Sequence, residues 1–163
     1  MILMRALFIS CLIFVSLLIK ANDPLAEIPF SIKGGHIYLL IEVNGIDSVH
    51  VAFDTGAGAN LISERMAQKL GLDVNDSQSI SGVGGTTRMK KSRGNSMKFG
   101  RIEFKNMPFL IMNLDKLSDE DAIMDGVIGK SIFDRFVVEI DYDNYLVRLF
   151  DYGEFEAPKG YET

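Results

Sequence analysis

The chain has a single cysteine, Cys11, and only two histidines, His36 and His50. Cys11 lies within an apolar stretch at the N-terminus. Once that stretch is removed, neither a disulfide nor a thiol nucleophile remains, which excludes cysteine catalysis. Neither histidine sits in a metal-ligand pair, so both read as structural or surface residues, and no metal is expected. Serine hydrolysis has little support, since no G-x-S-x-G occurs. Basic patches are missing too: 22 acids face 17 Lys and Arg, for a net charge of −5. That balance argues against nucleic acid as a partner. There is no internal repeat, no low-complexity tract and no sign of a second domain, and 163 residues suit one domain.

What is present begins with export. Residues 1–5 carry one positive charge, residues 6–19 are an apolar run, and Ile19-Lys20-Ala21 precedes an abruptly polar Asn22-Asp23-Pro24. This is the pattern of a secretory signal peptide over residues 1–21, cut after Ala21. The run is short for a membrane span, and an uncleaved N-terminal anchor is the alternative. Too little apolar sequence precedes Cys11 for a lipoprotein site. Cleavage removes Arg5 and Lys20 but no acid, leaving 15 basic residues against 22 acids, a net charge near −7. The expected location is periplasmic or secreted, with membrane contact only if the segment stays attached.

Residues 22–29 read as a flexible lead-in. Phe30-Ser31-Ile32 and residues 36–43 are rich in β-branched and aromatic residues and predict strands. Asn44-Gly45 is a strong turn signal that returns Val49-His50-Val51-Ala52-Phe53 as the next strand. That strand runs directly into Asp54-Thr55-Gly56-Ala57. A carboxylate after a buried strand is expensive unless it is paired or used. The Thr55 hydroxyl can brace the turn, and Gly56 lets backbone approach where a Cβ would clash. Ser63 is placed to cap a short helix over residues 64–70, with Met66, Ala67 and Leu70 inward and Gly71 ending it.

Further on, Ser81-Gly82-Val83-Gly84-Gly85-Thr86-Thr87 puts one aliphatic residue among glycines between polar β-formers, the composition of a hairpin tip. Residues 97–104 and 107–112 predict two strands joined near Lys105-Asn106. Residues 113–125 are acid-rich. Paired carboxylates suit a glycosidase or a calcium site, but the spacing fits no EF-hand, and the run reads as solvated surface. Gly129-Lys130-Ser131 imitates the end of a phosphate-binding P-loop, whose first glycine would have to stand at Met124, so the cradle is incomplete. Residues 137–142 and 145–150 predict a hairpin turning at Asp143-Asn144, and a polar tail covers 153–163. Short strands with turn signals between them, and one or two brief helices, predict an all-β closed barrel over residues 30–152.

Asp54-Thr55-Gly56-Ala57 resembles the active-site signature of aspartic proteases. Ala at the fourth place is similar to the retroviral-type, retropepsin-like branch, here as a single-domain bacterial-type member. Two further segments fit in order. Gly82-Val83-Gly84-Gly85 resembles the glycine-rich flap that closes over substrate. Val127-Ile128-Gly129 with the following short helix resembles the element beneath the catalytic loop, where Gly129 allows close packing. The resemblance spans about residues 30 to 150. It implies an acid-protease barrel with a flap hairpin, no cofactor, and an aspartic endopeptidase. Carboxylate chemistry on a peptide needs two aspartates sharing a proton. One Asp-Thr-Gly therefore implies a homodimer, with Asp54 of each subunit on the two-fold axis. Asp54, Thr55 and Gly56 are then the catalytic turn, and Ala57, Gly82, Val83, Gly84, Gly85 and Gly129 border an extended peptide. The rival reading is a catalytically inactive dimerisation or peptide-binding module on the same barrel.

Overall fold

The computed structural model describes residues 23–82, 85–115 and 123–155. The expected signal segment at 1–21, the flap-tip residues Val83 and Gly84, and the tail beyond 155 lie outside the described residues. Among the described residues, ten strands run in chain order with two short helices. They are β1 (Ala26–Lys33), β2 (His36–Val43), β3 (Ile46–Phe53), β4 (Leu61–Ser63), α1 (Glu64–Lys69), β5 (Asp76–Gly82), β6 (Gly85–Phe99), β7 (Ile102–Met112), β8 (Gly126–Ile128), α2 (Lys130–Phe133), β9 (Val137–Asp141) and β10 (Leu146–Phe150).

The strands join in the order β5-β6-β7-β4-β8-β3-β2-β1-β10-β9. A second contact, β2 with β6 through Glu42↔Lys98 and Val43↔Met97, closes β2, β6, β7, β4, β8 and β3 into a six-stranded barrel. Its interior holds Val51, Phe53, Ile62, Met97, Phe99, Phe109 and Ile128, all buried. Closure leaves no edge within the six-stranded ring, while β5 and β9 remain the outer strands of the order among the described residues. The all-β barrel read from the sequence is the observed fold.

Local chemistry accounts for the connections. Asn44 and Gly45 adopt left-handed φ of 51° and 77°, the geometry of a tight hairpin turn between β2 and β3. Ser63 caps α1 by accepting the Met66 N–H at 3.1 Å, and Met66, Ala67 and Leu70 are buried. Gly71 follows at φ 62°, the left-handed residue that commonly ends a helix.

Four expectations need correction. Residues 26–29 are not a flexible lead-in but the first half of β1, pairing with β10 from Ala26↔Leu149 to Pro29↔Leu146. Ala26 and Ile28 are buried. Their partners lie some 120 residues away, so no local pattern announces them. Pro29, which has no N–H to give, sits where β1 leaves β10 for β2.

The β6–β7 hairpin turns at Gly100-Arg101, with Gly100 at φ 59°. Lys105-Asn106 is instead a β-bulge: two residues between Phe104 and Met107 face the single Ser96 between Met97 and Asn95. Asn106 takes φ 57°, so its signal for positive φ was real but marked a bulge. The β9–β10 connection is longer than the two residues Asp143-Asn144. Asp141 pairs with Leu146, and Tyr145 takes the left-handed φ of 55°. Finally, Asp125 at the end of the acid-rich segment is not solvated surface but buried, 3% exposed.

Candidate active site

β3 delivers Asp54 to the barrel end. Phe53 is buried and stacks on Phe133 of α2, with ring centroids 4.8 Å apart, and the next residue emerges into solvent. The Asp54 N–H donates to the Ile128 carbonyl at 2.9 Å, which extends the parallel β3–β8 pairing by one step. The chain then folds back, with the Ala57 N–H donating to the Asp54 carbonyl at 3.2 Å. The Gly56 N–H donates to Asp54 Oδ1 at 2.8 Å. This is the one hydrogen bond to the Asp54 carboxylate among the described residues, and it fixes the carboxylate plane while leaving Oδ2 open. A Cβ on Gly56 would stand 3.3 Å from that same Oδ1. Asp54 and Thr55 are exposed, and Ala57 is half-buried.

Gly129 supports the turn from below. A Cβ at this position would lie 2.2 Å from the Asp54 carbonyl oxygen, 2.7 Å from the Ala57 carbonyl oxygen and 2.8 Å from the Ala57 Cβ. No side chain fits there, so the backbone of residue 129 passes directly against the backbone of the turn. The Lys130 N–H donates to the Ala57 carbonyl at 3.0 Å, completing the attachment. Gly126, at the other end of β8, is equally tight: a Cβ would approach the Leu61 carbonyl oxygen to 2.5 Å. β8 thus threads between β3 and β4 as a strand of main chain pressed against main chain.

Asp54, Thr55, Gly56, Ala57 and Gly129 therefore converge. Gly82 and Gly85 pair with each other as the last described residues of the β5–β6 hairpin, and Val83 and Gly84 lie outside the described residues. The hairpin is secured at its base. Asp76 receives a bond from Arg93 at 2.9 Å, which holds its carboxyl below the usual range, and Arg88 donates to Ser77 at 2.7 Å.

Two supporting clusters escaped the sequence reading. Asn60, 4% exposed, accepts from the Ser131 hydroxyl at 2.7 Å and donates to the Pro108 carbonyl at 3.5 Å, linking the end of the Asp54 turn to α2 and β7. A polar residue opening an apolar strand was its only signal. Asp125 accepts the His50 N–H at 3.0 Å and pairs with Arg65, and His50 Nδ1 lies 3.6 Å from it. Partners 60 and 75 residues away leave no trace in local sequence. Among the described residues, no group of three His, Cys, Asp or Glu is placed to hold a metal.

Comparison with known proteins follows the geometry. A family model described as aspartyl protease matches residues 40–132. The chain is similar to a retropepsin-like aspartic protease from Rickettsia conorii, at 26% identity and a TM-score of 0.51, over 76% of this chain and 86% of that one. It is also similar to the retroviral protease-like domain of Ddi1 from Leishmania major (18% identity, TM-score 0.48, 75% of this chain and 98% of that one). EIAV protease complexed with the inhibitor HBY-793 matches at 17% identity and a TM-score of 0.44, over 61% of this chain and 86% of that one. A search of the curated proteins returns no match.

Proposed function

From a chain that belongs to the aspartyl protease family, with a retropepsin-like fold, we propose an endopeptidase that hydrolyses peptide bonds through an aspartate dyad shared by two subunits. The observation that carries this is Asp54 itself. It is an exposed carboxylate at a strand end, aimed by the Gly56 N–H and held by backbone contacts on both sides of the turn. A turn kept for structure alone has no use for an exposed, aimed carboxylate.

One carboxylate is half of the chemistry. The chain has one Asp-Thr-Gly, so the second aspartate comes from another copy across a two-fold axis. Two carboxylates this close cannot both ionise, and the pair holds one proton between them. The ionised Asp54 takes a proton from water while the protonated one gives its proton to the scissile carbonyl oxygen. The tetrahedral product then collapses as a proton passes to the leaving nitrogen, which releases an acid and an amine. Thr55, exposed at the crown of the turn, braces the two loops against each other across the axis. The peptide lies extended beneath the β5–β6 hairpin, under Gly82 and Gly85, and gains main-chain hydrogen bonds as an added strand. The N-terminal charge and apolar pattern supports export, to the periplasm or beyond.

The test compares residues 22–163 with their Asp54→Asn form on a mixed peptide library from about pH 4 to pH 8, with products read by mass spectrometry. Cleavage by the wild type alone, with a rate that falls faster than concentration on dilution, is the expected result. No cleavage at any pH, together with a monomer in sedimentation, would overturn it in favour of a binding module.

A further inference from the structure

The chain is acidic, yet one groove beside the catalytic turn is basic. It has a volume of about 380 Å³. On one side it is bounded by Gly58 and Asn60, which continue the Asp54 turn, and on another by Gln78 and Lys91 at the root of the β5–β6 hairpin. Lys130 and Arg135, at the two ends of the α2 segment, close it. It therefore opens between the Asp54 turn and the hairpin, beside the extended peptide of the proposed function.

Its charges are poised rather than cancelled. Lys91 Nζ is held by the Gln78 side-chain oxygen at 2.6 Å, a neutral partner that fixes the ammonium without neutralising it. The Arg135 guanidinium sits over the Phe104 ring, 5.5 Å from its centroid, and is likewise held by a neutral group. Arg135 has no carboxylate partner among the described residues, and Lys91, though it stands across from Asp76 and helps to hold that carboxyl low, makes its own hydrogen bond to Gln78. Lys130 bonds Asp134 at 2.7 Å. Three cations thus face one acid in a protein with five more acids than bases. Cations already held at the wall of a groove favour an incoming carboxylate, because part of the ordering of the side chains is already done.

We infer that this groove is a specificity subsite that takes an acidic side chain, Asp or Glu, of the peptide substrate, with Lys91 and Arg135 as the selecting residues. The inference rests on the proposed endopeptidase reading, and its test separates the two.

Peptides matched except for Glu, Gln or Lys at each position in turn are offered to the wild type for cleavage and to the Asp54→Asn protein for binding. One position is expected to favour Glu over Gln by about fivefold to tenfold, the range for a carboxylate meeting two partly exposed cations. The preference shrinks as salt is raised. In Lys91→Gln with Arg135→Gln the Glu-to-Gln ratio falls to about one at that position and at no other. Charge reversal, Lys91→Glu, turns the preference toward Lys there. Acid-selective binding by the Asp54→Asn protein without any wild-type cleavage would overturn the catalytic reading and sustain this one. A uniform response to Glu and Gln at every position, or a preference untouched by both variants, would overturn the subsite.

Discussion

The Ser131 hydroxyl donates to Oδ1 of Asn60 at 2.7 Å, and the Asn60 amide is almost wholly buried. The bond ties the first turn of α2 to the point where the Asp54 turn becomes β4. A buried acceptor that loses its only side-chain donor costs about 1–3 kcal/mol. Ser131→Ala is accordingly expected to lower Tm by about 3–6 °C, measured by circular dichroism. An unchanged melt would show that the amide finds another donor.

Gly129→Ala should be more damaging than any ordinary surface glycine change. The new methyl group meets two backbone carbonyl oxygens, at 2.2 and 2.7 Å, that belong to the turn carrying Asp54. Backbone cannot swing aside as a lysine tip can. The expected outcome is a loss of about 3 kcal/mol in chemical unfolding together with loss of peptidase activity. Full activity with native stability would mean that the turn shifts freely and is not set from below.

Asp125 offers a test of a buried charge. Its side chain is 4% exposed, facing a half-exposed Arg65 and the His50 N–H. Asp125→Ala strands that N–H and leaves Arg65 without its partner, for an expected loss of about 2–3 kcal/mol. Asp125→Asn keeps an acceptor for His50 and should lose less. Equal losses would show that the charge, not the acceptor, matters.

The β9–β10 turn carries a pH dependence. The Asp141 carboxyl is lowered to about 2 from 3.8, chiefly by the Asn144 side chain, then by the Asn144 N–H, with Arg148 adding to both. A depressed folded value means the contribution is whole above the unfolded value and is lost as pH falls through the folded one. Asn144→Ala should therefore open a gap in Tm from wild type near about pH 6 that narrows between about pH 4 and pH 2. A gap constant over that window would show that Asn144 acts through turn geometry alone.

Ala57 sets a prediction for catalysis. A serine there can donate a hydrogen bond to the ionised Asp54, and a bond to the charged form lowers a carboxyl's pKa. The acid limb of the pH–rate profile of Ala57→Ser is expected to move toward lower pH than that of wild type. An unmoved limb would show that the serine hydroxyl does not reach the carboxylate.

Much of the barrel could be read from sequence because its signals are local. Asn44-Gly45 names its turn by the φ angles it permits, Ser63 names a helix start, and the strands from His36 to Phe53 carry dense β-formers. What failed was set by distant partners or by one residue's choice between two roles. Ala26 and Ile28 become core only because β10 arrives beside them. Asn106 supplies a left-handed residue, which serves a turn or a bulge equally well, and the pairing across β6 decides which. Asp125 looks like its acidic neighbours until Arg65 and His50 are brought to it. Within the site, Gly129 was legible only through the resemblance of Val127-Ile128-Gly129 to a known element, while Asn60 stayed hidden because a buried amide advertises nothing without its partners.

The contact of Gly129 with the backbone of the Asp54 turn also separates two tasks that proteins often entangle. The height of Asp54 above the barrel is set by carbonyl oxygens, amide N–H groups and one bare α-carbon. None of these depends on which apolar side chains fill the interior. Exchanges among core residues such as Met97 or Phe109, unlike Phe99 whose ring meets Phe53 beside Asp54, can then soften or stiffen the barrel without relocating the carboxylate. Groove residues such as Lys91 and Arg135 can be rewritten to change what is admitted. The turn and the bare α-carbon beneath it behave as a fixed gauge block, and the barrel filling and the groove are free to be redesigned around them.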